Sequence, residues 1–299
     1  MRILRASPRR VTAPVMTWLT VFLSSTLLAG AAMAASAAPT PATPAAPSES
    51  DWRVPDPQNV LVIDTTKGRI VVEMNPAVAP LSVDRVRTLT RSGVYNGRAF
   101  FRVIEGFMDQ TGDPLDNGMG GSTLPNLPPE FAFRRGADMP FALVTKLSGL
   151  DAGISGSMPV ISQPMDLGLL TADNRVSAYG SFCDGVAGMA RADAPDSGNS
   201  QFYLMRAPNP ALDQKYTPWG RVIGGLDIAR AIKVGEPPAA PVDKMTTVRV
   251  LADIPATERP KVRVIDAQGP WFKAMVERVK TEKVVDFSIC DINLPSEIK

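Results

Sequence analysis

The residues best suited to chemistry lie in the stretch Phe100-Phe101-Arg102-Val103-Ile104-Glu105-Gly106-Phe107-Met108-Asp109-Gln110-Thr111-Gly112-Asp113-Pro114. Strand-forming apolar residues alternate here with one cation, one amide and two glycines, which sets Arg102 and Gln110 on rigid backbone beside Phe107 and Met108. The stretch reads as an apolar pocket with two polar fingers. A guanidinium is permanently charged, so Arg102 can donate a hydrogen bond into such a pocket without any proton transfer. A plainer reading stands beside this one. Arg102 next to Glu105 fits an ordinary surface ion pair, and Phe107 and Met108 would be apolar core in any barrel.

The rest of the composition narrows the chemistry. Among 299 residues there is no histidine and there are two cysteines. Ser-His-Asp and Cys-His nucleophiles, His-ligated zinc and imidazole proton shuttles are therefore excluded. Arg2, Arg5, Arg9 and Arg10 precede an apolar run from Val15 to Ala29 and the small residues Ala32-Met33-Ala34, the order of a secretory signal peptide. Residues 1–34 are expected to be removed and the mature protein to be periplasmic, free of the membrane. The alternative is an uncleaved inner-membrane anchor. Removing 1–34 takes four arginines from 32 Lys+Arg against 30 Asp+Glu, leaving 28 − 30 = −2, so nothing points to a nucleic-acid partner.

Several elements must position the pocket. Residues 35–58 are dominated early by Ala, Pro, Ser and Thr and read as a flexible spacer, with folding expected to begin near Val60. Two β-rich runs, Val60–Thr65 and Gly68–Met74, flank a Lys-Gly turn and predict a hairpin. Pro80-Leu81-Ser82 predicts a helix start with Ser82 as cap, and Val83, Val86 and Leu89 form its apolar stripe. A Gly/Pro-rich loop follows from Gly112 to Pro129, then strand-like alternation from Phe131 to Val144. Residues 145–182 lack clear periodicity; such a segment is functional or a lid over one face, and the sequence does not choose. Gly225–Lys233 predicts a short helix and Met245–Ala252 a closing strand. Beyond residue 255, a helix from Pro270 to Lys280 presents Phe272, Met275, Val276 and Val279, either to the barrel or to a partner.

A second block completes the pattern: Gly188-Met189-Ala190-Arg191, then Asn199-Ser200-Gln201-Phe202-Tyr203-Leu204. Together with Phe-x-Arg-Val-Ile-x-Gly-Phe-Met-x-Gln-x-Gly-Asp at 100–113, it resembles the two signatures of the cyclophilin-type peptidyl-prolyl cis-trans isomerases, over roughly Val60 to Asp253. The resemblance implies a mainly β fold, a closed eight-stranded antiparallel barrel capped by two helices, spanning residues 59–255. An insertion at about 145–182 and a C-terminal helical extension, 256–299, packed on the barrel, would complete it. It implies isomerisation of Xaa-Pro bonds in exported, unfolded or extended polypeptides, by a monomer with no metal and no cofactor. Residue by residue, it implies Arg102 as catalytic cation, and Phe107, Met108, Tyr203 and Leu212 as the proline pocket. Gln110 and Gln201 would meet substrate amides or carbonyls, Ala190 and Arg191 would pair with the extended peptide, and Tyr216 would border the pocket.

That chemistry suits a chain without histidine. Rotation about a prolyl bond meets a barrier of about 18–20 kcal/mol because the nitrogen lone pair is delocalised into the carbonyl. An arginine donating to the prolyl nitrogen localises the pair, and an apolar pocket favours the twisted amide, which has lost its charge-separated resonance. An acceleration of about 10⁴-fold needs about 5.4 kcal/mol, against roughly 1.5–3 kcal/mol for one charge-assisted hydrogen bond, so peptide binding must supply the rest. Three positions depart from the family pattern. Ala211 stands where an aromatic residue is frequent, and Tyr216 and Phe101 stand where histidine is common. Ala211 implies a wider pocket and weaker binding of cyclosporin-type ligands. Two other uses of the fold stay open: a non-catalytic proline-peptide-binding chaperone and a membrane-tethered interaction protein. Cys183 and Cys290, in an exported protein, either bridge or remain two buried thiols; a bridge would close a loop of ~107 residues, which stabilises by about 4–5 kcal/mol in the chain-entropy model.

Overall fold

The computed structural model describes residues 46–299. The expected leader and the first part of the spacer lie outside the described residues. The spacer expectation is corrected at its other end. Trp52 and Arg53 form a strand, β1 (Trp52–Arg53), with Arg53 in a two-pronged ion pair to Glu73 (2.6 and 2.8 Å) and the Arg263 guanidinium 4.5 Å from the Trp52 ring centroid. Backbone pairing of Trp52 with Ile265 and of Arg53 with Val264 orders the segment together with these side-chain contacts.

The apolar run that follows is β2 (Val60–Thr65), joined by a tight turn to β3 (Gly68–Met74). Thr65 Oγ1 accepts from the Lys67 and Gly68 amides, and Gly68 takes φ +139°, a conformation that favours glycine. Leu61 and Ile63 enter one core while Val60 and Val62 enter another, which explains an uninterrupted apolar strand. Helix α1 (Pro80–Arg91) begins with Pro80 in its first turn. Ser82 is not its cap, as expected from sequence, but lies inside the first turn. The Glu130 carboxylate does the capping from a distance, accepting from the Leu81 amide (2.8 Å), the Ser82 amide (2.9 Å) and the Ser82 hydroxyl (2.7 Å).

Two short strands carry the first signature, β4 (Arg102–Ile104) and β5 (Met108–Thr111). Then comes a second sheet: β6 (Phe133–Arg135), β7 (Ala142–Leu147), β8 (Leu150–Ser155), β9 (Met158–Ser162) and β10 (Val176–Gly180), in the order β6-β10-β9-β8-β7. This five-stranded sheet begins at Phe133, so residues 133–144 and much of the expected 145–182 insertion form one unit. Its period was hidden because β9 is buried throughout and β8 over its last four residues. Gly153 marks the tightest point: a Cβ there would lie 2.4 Å from the Ala142 carbonyl oxygen and 2.5 Å from the Phe141 ring.

The chain returns to the first sheet through β11 (Val186–Met189), β12 (Phe202–Met205) and β13 (Pro218–Gly224). It then forms α2 (Leu226–Arg230) and β14 (Met245–Val250). The order is β14-β2-β3-β13-β11-β12-β5-β4, antiparallel throughout. The expected closed barrel is a curled half-barrel at this level: β14 and β4 share no ladder, and the isolated bridges Ala99 to Lys244 and Val103 to Gly235 lie outside the named strand pairings. The three-residue β4 is too short to carry more. Val83, Val86 and Leu89 of α1 share one core with Leu61, Ile70, Phe202, Trp219 and Ala229.

The segment after 255 is not only helical. It adds β15 (Val262–Ile265), α3 (Pro270–Glu282) and β16 (Ser296–Ile298), and a small sheet runs β1-β15-β16. Phe272, Met275 and Val276 of α3 are buried in one cluster with Met158, Phe182 and Tyr203, so that face is covered within the chain. A Cys183–Cys290 disulfide, Cα to Cα 4.9 Å, joins the loop before β11 to the segment after α3. Arg221 of β13 lies buried at the same junction. It donates to the carbonyls of Asp184 (3.2 Å), Ser157 (3.4 Å) and Ile292 (3.1 Å) and to the Asn293 side chain (3.0 Å).

Candidate active site

Strand register builds the site. In the β4–β5 hairpin Arg102 stands opposite Gln110, across β5–β12 Gln110 stands opposite Tyr203, and across β12–β11 Tyr203 stands opposite Gly188. Opposed residues share a sheet face, so four strands align a cation, an amide, a phenol and a glycine in one row. Gly188 has to be glycine, because a Cβ would come within 2.7 Å of the Tyr203 Cζ and Oη and of the Phe182 ring. The space it leaves lets Tyr203 lie stacked with Phe182 (5.9 Å). Burial pushes the Tyr203 hydroxyl well above the usual phenol range, so it stays neutral.

Over this row opens a cavity of about 200 Å³ lined by Arg102, Phe107, Met108, Gln110, Ala190, Arg191, Tyr203, Leu212 and Tyr216. Phe107 reaches it from a turn in which Gly106 takes φ +66°. Leu212 reaches it from a single 3₁₀ turn, Pro210–Leu212, capped by Asn209. That turn is pinned by Asp213, whose carboxylate accepts from the Phe182 amide (2.8 Å) and the Ser181 hydroxyl (2.9 Å); burial raises its carboxyl against those two bonds. Tyr216 meets Tyr203 edge to face at 6.1 Å and carries the Arg191 guanidinium 4.5 Å from its ring centroid. Arg191 is otherwise committed to the carbonyls of Lys215, Ala192 and Asp193, so it shapes the wall more than it offers free donors.

Gln201 lies outside this cavity. It lines an adjoining cleft of about 340 Å³ together with Gln110, Ala190, Arg191, Met119 and Asn199. A continuous relay links the two spaces. Arg102 Nη1 donates to Gln110 (3.3 Å), Gln110 Nε2 to Gln201 (3.0 Å), and Gln201 Nε2 to the carbonyls of Gly118 (3.1 Å) and Gly120 (2.8 Å). Those carbonyls are held by Asp113. Burial works against its charge, but amide bonds from Leu115, Asn117 and Gly118 win and keep the Asp113 carboxyl below the usual range.

The ion pairing around Arg102 differs from the sequence expectation. Glu105 pairs with Arg206 (2.9 Å), which also reaches the fully buried Asp109 (2.8 Å) behind the row; Arg102 Nε instead donates to Glu236 at 2.7 Å. Burial pushes the Asp109 carboxyl up to about 7 in spite of Arg206. Glu236, Asp113, Asp213 and Phe182 were all missed by sequence reasoning. Glu236, Asp213 and Phe182 act through contacts far along the chain that no local pattern signals, whereas Asp113 closes a local turn inside the first signature, through the amides of Leu115, Asn117 and Gly118.

Residues 60–252 match the family model described as cyclophilin type peptidyl-prolyl cis-trans isomerase/CLD. A probable peptidyl-prolyl cis-trans isomerase of Brucella suis is 32% identical over 191 residues, 60% of this chain and 74% of that protein. Peptidyl-prolyl cis-trans isomerase CYP71 of Arabidopsis thaliana is 30% identical over 179 residues, 59% of this chain and 21% of that protein. Among solved structures, cyclophilin AquaCyp293 from Hirschia baltica superposes with a TM-score of 0.76 at 32% identity, covering 83% of this chain and 93% of that one. Both signatures fall inside the matched span, on the strands that carry the row. The chain belongs to the cyclophilin-type peptidyl-prolyl cis-trans isomerases.

Proposed function

We propose that this isomerase acts on Xaa-Pro bonds of exported polypeptides in the periplasm, after loss of residues 1–34, with Arg102 as the catalytic cation. The observation that carries the assignment of Arg102 is the Arg102–Gln110–Tyr203 row over a cavity of about 200 Å³ that Phe107, Met108 and Leu212 also line. A proline ring placed between Phe107, Met108 and Leu212 brings its nitrogen toward the free edge of the guanidinium. Gln110, held at its acceptor by Arg102 and at its donor by Gln201, and Gln201 itself would orient the peptide on the carbonyl side, with Ala190 and Arg191 as the backbone partners. No proton changes hands.

The two isolated bridges are joined by further backbone bonds, Gly97 N to Met245 O (2.7 Å), Met245 N to Arg98 O (2.9 Å) and Phe100 N to Asp243 O (3.0 Å). They support the reading of the half-barrel as a barrel closed by irregular chain, with α1 and α2 at its ends. The protein acts as a monomer in this reading.

The test is an isomerase assay of residues 35–299 on short Xaa-Pro peptides beside Arg102→Ala. Activity that drops at least about tenfold in the variant is expected, the size of one charge-assisted hydrogen bond. An unchanged rate would remove Arg102 from the reaction. The mass of the mature N-terminus tests the leader. A second reading, binding of unfolded clients, is favoured by Leu169 and Leu170, both more than 80% exposed beside the second sheet. Capture of a proline-free unfolded chain that is lost on changing both to Ser would support it.

A further inference from the structure

Glu236 is the one carboxylate that the described structure pairs with Arg102, and its position is built. Gly235, the residue before it, exchanges both backbone hydrogen bonds with Val103, the residue after Arg102 (2.8 and 2.9 Å). Gly235 takes φ +155°, and a Cβ there would lie 2.4 Å from the Pro238 Cα, so this bridge depends on glycine. The loop is fastened at both ends by Asp243, which accepts from the Lys233 amide (2.9 Å) and from the Thr66 hydroxyl (2.7 Å). The guanidinium is thus held at two points, Nε by Glu236 and Nη1 by Gln110, and Arg102 lines the cavity.

We infer that Glu236 is a positioning residue for the isomerisation: its carboxylate fixes the plane of the Arg102 guanidinium, so that the donor meets the prolyl nitrogen without a search through rotamers. The physical reason is the exposure of the arginine. At 40% exposed, an unclamped Arg102 would lose rotamer freedom each time it engaged the substrate, and a second anchor removes part of that cost beforehand. The clamp acts on the rate of the twisted state and not on the fit of the peptide, since Glu236 does not line the cavity.

This inference rests on Arg102 acting as the catalytic cation. The test therefore measures Glu236→Ala, Glu236→Gln and Arg102→Ala together, on the full mature chain with a short Xaa-Pro peptide. Glu236→Ala is expected to lower kcat about fivefold, near the upper end for a half-exposed ion pair, with KM changed less than about twofold; Glu236→Gln should fall between. Raising salt from about 0.05 to about 0.5 M should bring the wild-type rate toward that of Glu236→Ala, while the variant stays flat, because such pairs are screened. The Arg102 Nε–H resonance, sharp in the wild type, should broaden or vanish in Glu236→Ala. A rate that is unchanged or higher in Glu236→Ala while Arg102→Ala is impaired would overturn the clamp alone. A lowered unfolding midpoint with kcat intact would make Glu236 merely structural and overturn it too. An Arg102→Ala variant as fast as the wild type would bring down the reading of the site together with the clamp.

Discussion

Two arginines of the same sheet, separated by three strands, behave in opposite ways. Arg221, at the junction of half-barrel, second sheet and C-terminal segment, is buried and has three carbonyls and an asparagine around it. Burial draws its guanidinium below the usual range, and the neighbouring Asp184 only partly opposes this. Arg102, at the pocket, has one carboxylate and one amide oxygen and lines the cavity. The difference teaches how one residue type serves two ends. A guanidinium whose acceptors are all supplied by the protein holds pieces together, and one left short of acceptors has a donor to offer a substrate.

This comparison can be broken or sharpened by experiment. The largest effect is expected from Arg221→Leu, which leaves buried carbonyls unpaired: a loss of about 3 kcal/mol or more in urea unfolding, with the rate per folded molecule little changed. Arg102→Ala should do the reverse, keeping the unfolding midpoint while costing about 1.5–3 kcal/mol of transition-state stabilisation, read as kcat/KM. If both variants lost stability and activity alike, the division between joint and site would fall.

A pH series probes the polar pair behind the row. Asp109 has a folded pKa of about 7, above the unfolded carboxyl value near 3.9, so between these limits the folded state binds more protons. Stability should therefore fall as pH rises from about 4 to about 7 and level off above. Asp213, also raised by burial, adds with the same sign, whereas Asp113 and Asp291, held low, act only as the pH drops below the ordinary carboxylate range. In Asp109→Asn the slope between pH 5 and about 7 should flatten; an unaltered slope would assign it elsewhere. Smallest of all, Glu130→Ala should cost about 1 kcal/mol of stability through the uncapped α1, measured by chemical denaturation, and leave kcat intact.

How much was legible follows the same division. The hairpin at Lys67-Gly68, α1, α3 and the cluster of Arg102, Phe107, Met108, Gln110 and Tyr203 could be read because each rests on local periodicity or on a contiguous signature. The five-stranded sheet could not, since a strand such as β9, buried on both faces, shows no alternation. Ser82 was given a role that Glu130 performs, because a helix cap contributed by a residue 48 positions away leaves no trace at the helix start. Glu236 escaped for the same reason: its meeting with Arg102 spans 134 residues.

The small sheet has a consequence for how the chain is made. β1, near the start of the described chain, pairs with β15, and β16 completes β15 from the other side. Val60, Val62 and Val71 share their cluster with Ile223 of β13 and, from the far end of the chain, with Leu251, Ile254, Val262 and Val264, and Leu294 and Ile298 pack against it. A ribosome delivers the two halves of this seam far apart in time. The half-barrel therefore emerges with one apolar face bare, and that face waits for nearly the whole chain to be synthesised before it can be shut.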